Sequence, residues 1–227
     1  MRSSSARSAP SSGCSVTGRA GIVKGANAAI VNVTVDGTTA PGYVTVYPCG
    51  TTQPDASNLN YASGATIAAF GIAKLGADGT ICVFTSAATQ LIVDASGYVP
   101  VSTTYRPRDP ARLLDTRPGG RTIDGQGANA GLRPAGSITE VQVNGRIGLG
   151  APKTAVVTVT ATNQQAGGYL TMWPCGQTQP NASNLNFQAG VDIANTAIVP
   201  VGTNGKVCIY TSAPTNILTD INGTYPN

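Results

Sequence analysis

Short stretches of alternating apolar and polar residues dominate the chain. Ala29–Val35 reads AIVNVTV, and Ala155–Ala161 repeats the pattern as AVVTVTA. A period of two sends successive side chains to opposite faces, so each stretch predicts a β-strand with one buried face. Further strands are predicted in matched pairs: Tyr43–Tyr47 and Tyr169–Trp173, Thr66–Leu75 and Asp192–Val201, Thr80–Thr85 and Lys206–Thr211, Gln90–Val99 and Asn216–Tyr225. Asp78-Gly79 and Asn204-Gly205 separate the second pair from the third. These dipeptides tolerate positive φ at both central positions and predict tight hairpins there. Helical periodicity is missing, and turn residues recur between the strands. The expected fold is all-β: two tandem antiparallel β-sandwich (or small barrel) modules.

The pairing of strands reflects an internal duplication. YVTVYPCGTTQPDASNLNY, from Tyr43, recurs as YLTMWPCGQTQPNASNLNF from Tyr169, an offset of 126 residues. Cys82 then maps to Cys208, Asp94 to Asp220 and Gly97 to Gly223. Upstream, VTGRAGIVKGANAAIVNVTV from Val16 resembles VNGRIGLGAPKTAVVTVTAT from Val143 with a one-residue slip. The second copy carries an additional segment from Pro110, PARLLDTRPGGRTIDGQGANAGLRPAGSITEVQV, where the first has only a Ser-rich start. The expected organisation is a polar N-terminal tail (1–15), a first module shortened at its N-terminus by at least one or two strands (16–100), a linker (101–109) and a second module (110–227).

Composition narrows the function classes. Glu occurs once, as Glu140, whereas Gly occurs 28 times and Pro 15 times, a balance that favours strands and turns over helices. Net charge is +4, and the basic residues of Arg106–Arg121 are interleaved with Asp109 and Asp115, so no continuous basic stripe invites nucleic acid. No apolar run is long enough to insert into a membrane as a helix. With no histidine in the chain, a Ser-His-Asp triad is impossible. Neither an enzyme activity nor a cofactor is expected.

Each copy holds one Cys in a Pro-Cys-Gly turn and one in a predicted strand. Zinc would demand clustered thiolates, usually with His, and there is neither His nor a CxxC motif. Disulfides Cys49–Cys82 and Cys175–Cys208 are therefore expected. Each closes a loop of about 34 residues and constrains the unfolded chain by about 3–4 kcal/mol in the entropy model. Such bridges imply an oxidising, extracellular setting. Cys14 is left over, as a free thiol, as a partner for another chain or as a remnant of a deleted segment.

Two segments are candidates for function. The first is the repeated SNLN loop, with Asn58, Asn60 and Tyr61 in one copy and Asn184, Asn186 and Phe187 in the other. Amides beside an aromatic ring suit sugar hydroxyls and the apolar face of a sugar. Equally, the asparagines can brace the backbone while the rings plug the core. The second is Arg112-Leu113-Leu114-Asp115-Thr116-Arg117, a candidate assembly strand in which Arg112 or Arg117 pairs with Asp115 or with an anionic ligand. Asp94 and Asp220, set in apolar strands without a second proton-transfer group, read as caps of strand ends rather than catalytic acids.

The motifs PARLLDTR and YLTxWPCGxxxPxASNLNF, followed by a strand Cys and Thr-Ser-Ala, resemble a repeat module of secreted actinobacterial proteins. The resemblance covers most of Val16–Val99 and nearly all of Pro110–Tyr225. It implies export, a β fold and an accessory or structural role, with no activity to carry over; the first copy departs from it by lacking RLLDTR. An incomplete module leaves an open sheet edge. The expected function is thus a non-catalytic extracellular surface module, assembling head to tail with itself by strand complementation. A carbohydrate-binding module directed at extracellular polysaccharide is the alternative.

Overall fold

The computed structural model describes residues 12–19, 21–102 and 104–226. The fold is all-β, with fifteen strands and one short 3-10 turn at Thr203–Gly205 among the described residues. In the first module these are β1 (Ser12–Ser15), β2 (Ala28–Asp36), β3 (Gly42–Pro48), β4 (Leu59–Tyr61), β5 (Ile67–Lys74), β6 (Thr80–Thr85) and β7 (Gln90–Val99). In the second they are β8 (Arg106–Asp115), β9 (Ile138–Gln142), β10 (Thr154–Thr162), β11 (Gly168–Pro174), β12 (Leu185–Phe187), β13 (Ile193–Pro200), β14 (Lys206–Thr211) and β15 (Asn216–Tyr225).

Each module is a sandwich of two antiparallel sheets. In the first, β1-β6-β3-β4 faces β5-β2-β7; in the second, β12-β11-β14-β9 faces β13-β10-β15-β8. The alternation along β2 turns Val31, Val33 and Val35 inward onto Val44, Val46, Ile81 and Val83. In the second core Val157, Val159 and Ala161 meet Leu170, Met172, Val207 and Ile209. Each large aliphatic side chain so buried stabilises the fold by about 1.5–3 kcal/mol. The two cystines form as expected, with Cα atoms 4.9 Å apart at Cys49–Cys82 and 5.0 Å at Cys175–Cys208. Each ties the end of one strand to its hydrogen-bonded neighbour, β3 to β6 and β11 to β14.

Several local expectations are corrected. Asp78-Gly79 and Asn204-Gly205 do not close hairpins: β5 pairs with β2 and β6 with β3, so each turn arches from one sheet to the other. Burying the inward faces of both strands requires them to lie in opposing layers, and that tertiary demand overrides the local turn signal. The polar N-terminal segment supplies a strand, since Ser12–Ser15 pairs with Thr80–Val83. The segment expected as a linker supplies the start of β8, at Arg106. The one-residue slip lies between Ile22 and Ala28, because Ile22 matches Leu149 whereas Ala28 matches Thr154.

β1 is therefore the counterpart of β9. It puts Cys14 at the place of Val141, each with its side chain against its module's core. Only β8 lacks a counterpart among the described residues. The modules pack on each other through Ala28, Ile72 and Val99 of the first and Tyr105, Val156 and Tyr225 around the second.

Candidate functional site

β8 lies along the edge of β15, pairing Asp115 with Leu218, Leu114 with Thr219 and Arg112 with Asp220. Leu113 and Leu114 enter the second core. Arg112 points to the opposite face and, though buried, is fully engaged. Its Nε donates to Asp220 Oδ1 at 2.9 Å and its Nη2 to Asp220 Oδ2 at 3.2 Å, while Nη1 lies 3.4 Å from Asp55 Oδ1 and 3.5 Å from Asp115 Oδ2. Asp220 Oδ2 also accepts the backbone N–H of Ser57 at 3.1 Å. Burial pushes the Asp220 carboxyl above its ordinary range, and the Arg112 guanidinium works against that push. The capping role expected of Asp220 is thus replaced by a buried, bidentate ion pair that also receives a loop of the first module.

The rest of RLLDTR is equally committed. Asp115 accepts from Arg117 through Nε at 3.0 Å, Nη2 at 2.7 Å and the backbone N–H at 3.1 Å. Burial opposes ionisation of Asp115, but these bonds and the charges of Arg117 and Arg112 outweigh it and hold the carboxyl below its ordinary range. Thr116 Oγ1 accepts the Ile217 N–H and donates to Asn216. The candidate assembly strand is therefore paired within its own module.

Arg146, which the sequence reading did not single out, locks this strand in place. It is 3% exposed. Its Nη1 donates to the Leu113 carbonyl at 2.6 Å and its Nη2 to the Gln126 carbonyl at 3.0 Å, and it forms a bidentate ion pair with Asp124. That bond to Arg146 holds the Asp124 carboxyl below its ordinary range. The signal was present in the repeat: Val-x-Gly-Arg occurs in both copies, as Arg19 and Arg146.

In the first module the same places are bare. Among the described residues no strand pairs with the outer edge of β7. Ile92 is 50% exposed where Leu218 is 4%. Asp94 and Arg19 are exposed, and the side chain of neither makes a hydrogen bond or ion pair to any described residue.

The SNLN loops are built inward. Asn58 Oδ1 accepts the Val46 N–H at 2.7 Å, and Asn184 Oδ1 accepts the Met172 N–H at 2.6 Å. Ser57 and Ser183 donate to Asn60 and Asn186, respectively. Tyr61 and Phe187 are buried in the two cores, so neither ring offers the face that a sugar-stacking site needs. The loops differ in what covers them. Asp55–Ser57 rests against Asp220 and Arg112, whereas the matching Asn181-Ala182-Ser183 is exposed.

Glu140 lies close to the Cys175–Cys208 cystine, but two of the three donors of that cluster are spent on the disulfide, which leaves no metal-binding set there. No helix among the described residues is long and apolar enough to cross a membrane. No family model matches the chain, and a search among curated proteins finds no match.

Proposed function

We propose that this chain is a non-catalytic extracellular structural module that assembles head to tail with copies of itself. The observation that carries the reading is the asymmetry of the contact between its two modules. The Asp55–Ser57 side of the first module sits on the outer face of β15 in the second. Both halves of that contact exist twice, because the modules are repeats, and one half is left over on each module. The second module has a bare loop at Asn181–Ser183 and a bare Ile198, 54% exposed where its counterpart Ile72 is 8%. The first module has a bare face carrying Phe70, Ile92 and Asp94. Contacts between unlike surfaces propagate into filaments unless the rotation closes a ring.

The substitutions between the copies support the match. Asp55 meets Arg112, whereas its counterpart Asn181 is neutral and the bare face has no such arginine. Ser183 retains the backbone N–H that, in Ser57, bonds the carboxylate. The non-catalytic part of the reading is supported by the occupation of the buried acids: Asp115 and Asp220 each face arginine. The two cystines favour the extracellular assignment.

Sedimentation velocity over a range of concentrations tests the proposal. Larger species should grow with concentration in the intact chain and be lost in Ile198→Asp, with circular dichroism unchanged. A chain that stays monomeric throughout overturns it.

A further inference from the structure

We infer that the open edge of β7 receives an extended strand of the Arg-Leu-Leu-Asp type from another polypeptide. This inference stands apart from the head-to-tail reading: in the second module, β15 holds β8 on its edge and the Asp55–Ser57 loop over its face at the same time.

The second module is the template. There, β8 is secured by four features: the main-chain edge of β15, the Arg112–Asp220 pair, the bond from Arg146 to the Leu113 carbonyl, and the burial of Leu113 and Leu114 beside Val141. The first module keeps the receiving half of all four. Its β7 edge is unpaired among the described residues, Asp94 replaces Asp220, Arg19 replaces Arg146, and Cys14 replaces Val141. Cys14, Val16, Arg19, Val31, Val93 and Asp94 line a single groove of about 190 Å³. It is a channel with a carboxylate on one side, a guanidinium on another and an apolar floor.

The charges fix the register of an incoming strand. Arginine must lie opposite Asp94, and the next residue must turn its carbonyl to Arg19 and its apolar side chain to the floor. That is the order of Arg112 and Leu113. Residues 1–11 of this chain contain no Leu, Ile, Val or Phe and do not meet the last requirement. β8 of a folded second copy is already paired with β15. The occupant the groove fits is an Arg-Leu-Leu-Asp segment, supplied by another polypeptide, that is not engaged in a module of its own. Strand addition of this kind draws its affinity from main-chain bonds and its specificity from alternate side chains.

The test uses the full oxidised chain and a fluorescent synthetic peptide with the sequence of residues 106–117. The peptide should bind saturably by anisotropy and slow the alkylation of Cys14. Asp94→Asn, or alanine at the Arg112 position of the peptide, should weaken binding at least about tenfold, the value of a lost charge-assisted hydrogen bond. Equal binding of a scrambled peptide, unchanged Cys14 alkylation, or no binding overturns the inference. So does binding indifferent to Asp94→Asn, which would mean exchange with β8 on β15. Binding that appears only after residues 1–11 are removed would make that segment the occupant and overturn it as well.

Discussion

Asp94 and Asp220 occupy the same place in the two repeats, yet Asp220 is sealed beneath Arg112 while Asp94 lies open to solvent. The difference traces to a single strand, β8, which has no counterpart among the described residues of the first copy. The consequences for stability and assembly follow from that strand.

Arg112→Ala strips a buried carboxylate of its partner. An uncompensated buried charge of this kind costs about 3–5 kcal/mol. The loss should appear in urea unfolding of the second module. Asp94→Asn, at an exposed site, should stay within about 0.5 kcal/mol of the parent. Equal effects of the two substitutions would contradict the asymmetry.

Asp115 and Asp124 have folded-state pKa values below their ordinary ones. A depressed carboxyl stabilises the fold above its unfolded pKa, about 3.9 for Asp, and that stability is lost as pH falls towards the folded value. Asp124→Asn should therefore destabilise the chain at pH 6 and converge on the parent as melts are taken from pH 4 downward. A constant difference across that range would be the contrary result.

A Cβ added at Gly223 would lie 2.2 Å from the Tyr105 hydroxyl, whereas at Gly97 the nearest atom would be Ile30 Cδ1 at 3.5 Å. Gly223→Ala should thus force Tyr105 off the module interface at a cost of about 1–3 kcal/mol, and Gly97→Ala should be tolerated. Matched thermal melts of the two variants decide between them.

Much of the fold was legible because its signals are local or repeated. The alternation in Ala29–Val35 marks a strand whichever partners it takes, and the duplicated cysteines report a pairing without reference to topology. The assignment of Asp78-Gly79 to a hairpin failed because a turn signal says that the chain reverses, not which layer it returns to. Asp220 was misread for a related reason. Its partner Arg112 lies 108 positions away, and no pattern within β15 indicates a buried arginine. Arg146 was detectable only as a recurrence, in Val-x-Gly-Arg. The SNLN loops had two readings in sequence, and the burial of Leu59 and Tyr61 favours the structural one.

The most direct test of head-to-tail assembly is a cross-link across the interface it requires. Ala56 and Leu218 line one groove between the modules, and their counterparts are the exposed Ala182 and Ile92. Two chains carrying Cys14→Val, one with Ala182→Cys and the other with Ile92→Cys, should form a mixed disulfide dimer when oxidised together. A chain carrying both cysteines should form a ladder. Formation of only the two like-with-like dimers, or of none, would contradict the account.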